Sequence, residues 1–263
     1  MDLHLKDRVA FIAGSSRGLG AATAEALSAE GAKVVINSRN SEILHSKAEE
    51  IHSKTGNPVF SVAGDVADSD FPATAIEVVI REFGSLDILI TNAGGPPPGR
   101  FESMTDADWQ LAFETSLMSH VRLIRAALPY LEKSTCASVL TITSSSVKQP
   151  IPNLILSNSI RAATVGLTKS LALELGEKGV RFNSILPGWT KTERVDQLMS
   201  ARAVLNNTSL EIEMQKQAAE SPLKRLAEVE EFAAAATFLV SPAASYITGV
   251  MLGVDGGSVK GLF

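Results

Sequence analysis

A chain of 263 residues with 45% hydrophobic and 20% charged residues can bury a large core, so its composition excludes a disordered protein. Its net charge of -5 does not support nucleic-acid binding, and its one cysteine, Cys136, excludes an internal disulfide and suits a reducing compartment. No apolar run reaches the roughly 18 residues of a membrane span, and the opening residues MDLHLKDRVAF lack the pattern of a signal peptide, so we expect a cytoplasmic protein.

Short β-branched runs alternate with longer helical segments along the whole chain. The predicted strands cover residues 8–13, 33–37, 58–63, 86–91, 138–143, 180–186 and 249–254. The predicted helices cover residues 18–30, 42–53, 69–82, 106–131, 155–178 and 228–240. Apolar strands separated by helices predict one α/β domain over residues 1–263, with a seven-stranded parallel sheet in the doubly wound (Rossmann-type) arrangement and helices on both faces.

A glycine-rich segment, AGSSRGLG, follows the first predicted strand and opens the first helix. Gly14, Gly18 and Gly20 permit a tight turn and let a pyrophosphate approach the backbone at the helix N-terminus. The spacing is G-x-x-x-G-x-G, and a structural turn without a ligand is the alternative. The segment therefore predicts a dinucleotide site.

The end of the second strand indicates which dinucleotide binds, because an acid there bonds the free ribose 2′-hydroxyl of NAD. This chain has Asn37 and Ser38 at that position, followed by Arg39, and Arg17 lies inside the glycine segment. Two guanidinium groups match a 2′-phosphate, unless both are solvated surface arginines. The sequence favours NADP(H).

Further motifs follow in order: GDV at residues 64–66, TNAGG at 91–95, VRFNSILPGWTKT at 180–192 and YITGVMLGVDGG at 246–257. Together they resemble the short-chain dehydrogenase/reductase family over nearly the whole chain, and in overall sequence the 3-oxoacyl-thioester reductases. The resemblance implies a homodimer or homotetramer built through the two long middle helices and the C-terminal segment. It also implies that the cofactor is bound by Gly14, Ser16, Arg17, Gly18, Leu19, Gly20, Arg39, Asp65, Val66, Asn92, Ala93, Gly94, Arg161, Pro187, Gly188, Thr190 and Thr192.

The catalytic positions depart from the family pattern of Ser, Tyr and Lys with a preceding Asn. Alignment of AATVGLTKSLALEL with the family helix puts Ser157 at the Tyr position and Arg161 at the Lys position. Ser144 falls at the substrate-orienting Ser, and Ser116 replaces the usual Asn. Tyr130 and Tyr246 lie elsewhere and are expected to be structural.

The replaced residues change the acid/base chemistry that the site can perform. An alkyl hydroxyl is much less acidic than a phenol, and a guanidinium stays protonated. Arg161 could hold the nicotinamide ribose and stabilise negative charge on a carbonyl oxygen, with Ser144 and Ser157 orienting that oxygen and water delivering the proton. His120 is a weaker candidate for the acid, because a helix-face or subunit-contact histidine is the simpler interpretation.

Other site types find little support in the sequence. His4, His45 and His52 form no ligand set with carboxylates or cysteine, so no metal is expected. The TSSSV segment lacks the spacing of a serine-hydrolase nucleophile elbow.

The segment at about 189–225 is predicted to be a substrate lid of short helices, facing a stiff GGPPPGR loop at 94–100. Trp189, Leu198 and Met199 indicate a fairly apolar pocket, or equally core packing.

Two functions fit the sequence. One is an NADP(H)-dependent oxidoreductase acting on a small carbonyl or alcohol substrate through Ser144, Ser157 and Arg161. The other is a cofactor-binding homologue that has lost hydride transfer and acts as a sensor, scaffold or partner subunit. Retention of a serine at position 144 and the long predicted lid favour the enzyme. Loss of the family's Tyr, Lys and Asn favours the cofactor-binding homologue.

Overall fold

A computed structural model describes residues 1–262, which form seven strands and nine α-helices. The strands are β1 (Val9–Ile12), β2 (Lys33–Ser38), β3 (Val59–Ala63), β4 (Ile88–Thr91), β5 (Ser138–Ile142), β6 (Arg181–Pro187) and β7 (Met251–Val254). The helices are α1 (Gly18–Ala29), α2 (Ser41–Thr55), α3 (Phe71–Phe83), α4 (Asp106–Phe113), α5 (Ser119–Leu131), α6 (Ile155–Leu175), α7 (Glu193–Asn206), α8 (Leu210–Glu220) and α9 (Val229–Val240). All seven predicted strands are confirmed, with ends that differ by at most two residues.

The strands form one parallel sheet in the order β3-β2-β1-β4-β5-β6-β7. The order reverses between β1 and β4, so the connections that leave these two strands diverge to opposite sides. A crevice therefore opens at the carboxyl edge of the sheet, beyond Ile12 and Thr91. The predicted doubly wound α/β fold is confirmed.

Two apolar cores cover the two faces of the sheet, because successive side chains of a strand point to opposite faces. Ile12 packs in the core beneath α1, α2 and α9, whereas its neighbour Phe11 packs in the core beneath α3 and α5. Both side chains are fully buried. This two-sided burial explains why the central strands read as continuous apolar runs.

The prediction of one continuous helix over residues 106–131 is wrong, because the structure divides this range into two α-helices. A π-helical turn at Glu114–Met118 separates α4 from α5. Ser116 lies in this turn, and its backbone carbonyl accepts a hydrogen bond of 2.6 Å from the Thr164 hydroxyl of α6. Such a turn frees backbone groups from the helical ladder, and π-turns often occur at functional sites.

Residues 189–225 hold two helices, α7 and α8, between β6 and α9. Thr192 begins α7 by accepting a hydrogen bond from the Val195 amide, and Ser209 begins α8 in the same way with Ile212. Helices α7 and α8 lie at the carboxyl edge of the sheet because they follow the carboxyl end of β6. Among the described helices none is both long and apolar enough to cross a bilayer.

Candidate active site

In the glycine segment, where β1 leads into α1, the backbone at Gly20 lies close to the backbone of Gly14 and Ser15. A Cβ on Gly20 would lie 2.4 Å from the carbonyl oxygen of Gly14, so only glycine fits at position 20. Gly14 and Gly18 adopt φ of +59° and +53°, which favour glycine. Arg17 precedes α1 and makes no capping hydrogen bond with its side chain, and the first turn contains no acid. The N-terminus of α1 can therefore accept an anion.

The carboxyl end of β4 is tied to this turn. The Asn92 side chain donates a hydrogen bond of 3.0 Å to the Gly14 carbonyl. Asn92, Ala93 and Gly94 line the same crevice as the glycine segment. The TNAGG motif thus supports the floor of the predicted cofactor site.

The two arginines predicted to bind a 2′-phosphate line one cavity with Asp65 and Val66. Both are solvent-exposed, and each has an acidic neighbour. Arg39 lies 3.8 Å from the Asp65 carboxylate, and Arg17 forms an ion pair with Glu193 at the start of α7. Surface pairs of this kind contribute little, so both guanidinium groups can turn to a phosphate.

Another wall of the crevice is formed by Pro187, the last residue of β6, and by Gly188, Thr190 and Thr192, which follow the strand. The Thr190 hydroxyl is buried without a hydrogen-bond partner among the described residues. A Cβ on Gly188 would lie 2.7 Å from the backbone of Asp255, so the wall packs tightly against the turn that follows β7. An unpartnered hydroxyl at this edge fits a polar ligand.

The predicted catalytic trio lines one cavity of about 480 Å³ at the carboxyl edge of the sheet. Ser144 follows β5, and Ser157 and Arg161 lie one turn apart at the start of α6. Arg161 is 8% exposed and donates from Nη1 to the carbonyls of Ile142 and Thr143, at 3.3 and 3.1 Å. These two carbonyls at the end of β5 fix the guanidinium beside the serines.

His120 does not line this cavity. Its Nδ1 lies 2.6 Å from the Thr91 hydroxyl, and its Nε2 and the neighbouring Ser116 hydroxyl are buried without partners in the described part of the chain. Burial, with the charge of Arg161 as a second cause, lowers the pKa of His120 to about 3. The imidazole is therefore neutral at physiological pH and does not reach a substrate as an acid.

Some of the remaining predicted residues line the cavity and others do not. Tyr246 is fully exposed, and Tyr130 contacts Lys133, so neither phenol lines the cavity. Trp189 and Leu198 line it, whereas Met199 is fully buried in the core. Within residues 1–262 no cluster of three His, Cys, Asp or Glu side chains could hold a metal ion.

Sequence reasoning missed one cavity residue with a clear chemical consequence. Arg194, in the first turn of α7, lines the cavity and donates a hydrogen bond of 2.8 Å to the Pro96 carbonyl of the proline loop. Its place two residues after the PGWTKT motif is the sequence signal that could have identified it, because that motif connects the sheet edge to α7.

Comparison with known proteins identifies the family. A family model described as enoyl-(acyl carrier protein) reductase matches residues 13–259. The chain belongs to the short-chain dehydrogenase/reductase family. Curated members include the NADPH-dependent reductase BacG of Bacillus subtilis, which is 30% identical over 98% of this chain and 100% of its own length.

Two solved structures of the family are also similar over the whole fold. L-sorbose reductase from Gluconobacter frateurii, complexed with NADPH and L-sorbose, is 33% identical, with a TM-score of 0.95 and full coverage of both chains. An NADPH-bound short-chain oxidoreductase from Pseudomonas aeruginosa, described as containing an atypical catalytic center, is 31% identical, with a TM-score of 0.86 over 96% of this chain and 98% of its own. The family fold is thus matched end to end.

Proposed function

We propose that this protein is an NADP(H)-dependent oxidoreductase that transfers a hydride between the nicotinamide and a ketone or alcohol, with Ser144, Ser157 and Arg161 as its catalytic residues. The observation that supports this most is that the three residues line the same cavity as the glycine segment and Thr192. Solved relatives with NADPH bound support the cofactor.

The cofactor residues divide between the two ends of NADP(H). Arg17 and Arg39 bind the 2′-phosphate, because both line the cavity that also contains Asp65. Gly14, Ser16, Gly18, Leu19 and Gly20 bring the N-terminus of α1 to the diphosphate. Asp65, Val66, Asn92, Ala93 and Gly94 line the adenosine side and the floor, and Pro187, Gly188, Thr190 and Thr192 line the nicotinamide side.

When bound, the cofactor supplies or accepts the hydride. Arg161 holds the nicotinamide ribose and stabilises negative charge that develops on the substrate oxygen. Ser144 and Ser157 donate hydrogen bonds to that oxygen, and water supplies the proton because no phenol lines the cavity. Loss of a tuned general acid typically costs about 10²–10⁴ in rate, so an activated carbonyl is the expected substrate.

The second candidate function is cofactor binding without hydride transfer. It is favoured by the replacement of the family's Tyr and Lys with Ser157 and Arg161. The Pseudomonas aeruginosa relative with the atypical center has NADPH bound. A departure from the usual catalytic residues is therefore compatible with cofactor binding in this family, and activity has to decide between the two candidates.

NADPH oxidation with a panel of 3-oxoacyl thioesters, diketones and small ketones distinguishes them. We expect turnover by the natural protein and its loss in a Ser157→Tyr/Arg161→Lys variant, because that variant removes the Ser157 alkyl hydroxyl and the guanidinium fork together. NADPH binding to both proteins is verified by fluorescence titration. Turnover by the double variant alone would identify the natural protein as a cofactor binder.

The assembly and location of the protein belong to the same proposal. We propose one domain over residues 1–263 with a substrate lid at about 189–225, in a cytoplasmic homodimer or homotetramer. Large apolar side chains on the outer faces of α4 and α6 support subunit contacts there: Leu111 is 55% exposed and Leu173 is 77% exposed.

A further inference from the structure

Two guanidinium groups converge on one point of the catalytic cavity. Arg161 reaches it from α6, and Arg194 reaches it from the lid helix α7. A Cβ placed on Gly95 would lie 3.5 Å from Nη2 of Arg194 and 3.7 Å from Nη2 of Arg161. The missing side chain of Gly95 therefore leaves a gap with a cation on each side.

Neither guanidinium has a counter-ion in the described chain. Their protein acceptors are neutral: Arg161 donates to the carbonyls of Ile142 and Thr143, and Arg194 donates to the carbonyl of Pro96. The ion pairs of residues 1–262 involve neither side chain. Glu193, the acid among the cavity-lining residues, bonds to Arg17 instead.

Two unpaired like charges at one gap repel each other and disfavour the empty site. Burial, with the charge of Arg194 as the second cause, lowers the pKa of Arg161 to about 10. Arg161 nevertheless stays protonated at neutral pH. An anion in the gap relieves this repulsion and gains charge-assisted hydrogen bonds from both sides.

Arg161 also holds the nicotinamide ribose, but the anionic groups of the proposed cofactor do not account for the positive charge of this pair. Its 2′-phosphate is assigned to Arg17 and Arg39, and its diphosphate to the N-terminus of α1. The adenosine-side cavity that contains Arg17 and Arg39 is lined by neither Arg161 nor Arg194. The two converging guanidinium groups therefore remain for the substrate.

We propose that the substrate is a small oxo acid, or the corresponding hydroxy acid, whose carboxylate binds between Arg161 and Arg194. This deepens the proposed function and rests on it. Ser157 lies one helical turn before Arg161, so the reacting carbonyl and the carboxylate are close neighbours in the substrate. A flat carboxylate matches the planar fork of a guanidinium, and Gly95 places no side chain beside the two guanidinium groups.

The reaction balances with the components already named. In reduction, the carbonyl carbon gains a hydride from the nicotinamide and the carbonyl oxygen gains a proton from water, which leaves NADP⁺, a hydroxy acid and hydroxide. The carboxylate keeps its charge throughout. Arg194 binds and orients the substrate, and Arg161 also stabilises the developing charge on the oxygen.

Matched acids and esters test the proposal: pyruvate against methyl pyruvate, and acetoacetate against methyl acetoacetate. We expect the natural protein to prefer each acid by about 10- to 100-fold in kcat/KM, and Arg194→Gln to lose that preference, since a hydrogen bond to a charged group is worth about 1.5–3 kcal/mol. Arg202→Gln is the matched control, because Arg202 is on the same helix, bonds Gln217 and does not line the cavity. It should keep the acid-to-ester ratio.

Binding of oxamate, an unreactive analogue of pyruvate, gives a readout that needs no turnover. Calorimetry on the protein loaded with NADP⁺ should show binding that weakens at least about tenfold in Arg194→Gln. Gly95→Ala should also weaken it, because the methyl group fills the gap while both charges remain. That change fits the backbone, since its nearest contacts of 3.5 to 3.7 Å are ordinary van der Waals distances.

The outcomes separate this proposal from the proposed function. Reduction of neutral ketones and esters with no preference for acids, together with no binding of oxamate, would overturn the carboxylate site and leave the oxidoreductase standing. A weaker affinity for NADPH in Arg194→Gln with an unchanged acid-to-ester ratio would assign Arg194 to the cofactor and also overturn the site. Oxamate binding that depends on Arg194, without turnover of any substrate, would support the site and remove the catalytic function.

Discussion

Arg161→Met should lower kcat/KM by about 10²–10³, the usual effect of removing a donor that stabilises charge in a transition state. Met fills the space of the guanidinium stem but stabilises no negative charge on the substrate oxygen. The protein should still fold, because replacement of a buried unpaired cation by an apolar side chain is often neutral or stabilising.

The measurement is NADPH oxidation by steady-state kinetics, with NADPH affinity and the thermal midpoint recorded for each variant. Arg161→Lys is the matched control, since it keeps a positive charge and has the residue type usual in the family. Arg161→Lys should retain activity within about tenfold of the natural protein. The positive charge remains, although the planar hydrogen-bonding fork of the guanidinium is lost. Equal activity of Arg161→Met and the natural protein would exclude a catalytic role for Arg161.

Gly20→Ala should abolish cofactor binding and lower the free energy of unfolding by about 1–3 kcal/mol, the usual cost of overpacking. The new Cβ would lie 2.4 Å from the Gly14 carbonyl and 2.9 Å from the Cα of Ser15. Both contacts are with backbone, so the start of α1 has to move away from the glycine segment. That movement displaces the N-terminus of α1, to which we assign the diphosphate.

Urea denaturation and NADPH fluorescence titration measure the two effects of Gly20→Ala. Gly176→Ala is the matched control, because Gly176 has φ of -60° and ψ of -36° and a Cβ there has no neighbour within 4 Å. That variant should gain about 0.4–1 kcal/mol and bind NADPH normally. Normal NADPH affinity in Gly20→Ala would contradict the assignment of the glycine segment to the cofactor.

Strands and cofactor-side motifs are predictable from the sequence because local patterns determine them. The alternation of apolar runs with helices identifies all seven strands, since each central strand is buried on both faces. Gly14 and Gly20 are identified by their place where β1 leads into α1. Asn92 is identified by its place at the end of β4.

The π-turn at Glu114–Met118 is not predictable in this way. Its residues, ETSLM, continue an amphipathic helical pattern, and the turn is stabilised by a tertiary contact from Thr164 on a different helix. The single predicted helix over residues 106–131 was wrong for this reason.

The convergence of Arg161 and Arg194 also cannot be predicted from the sequence. The two residues lie 33 positions apart, on α6 and on α7, and Gly95 comes from a third segment. The tertiary fold brings them together, so the sequence could propose Arg161 but not its cationic neighbour. The same fold buries His120 against Thr91, which removes it as a proton donor.

Transfer of deuterium from NADPH labelled at the nicotinamide C4 tests the central claim most directly. The natural protein is incubated with the labelled cofactor and pyruvate, acetoacetate or a diketone, and the products are analysed by mass spectrometry. We expect one deuterium on the carbinol carbon of the product, and at least about a hundredfold less labelled product from Arg161→Met over the same time at equal occupancy of NADPH. Full binding of NADPH with no label in any product would contradict the account and identify the protein as a cofactor binder.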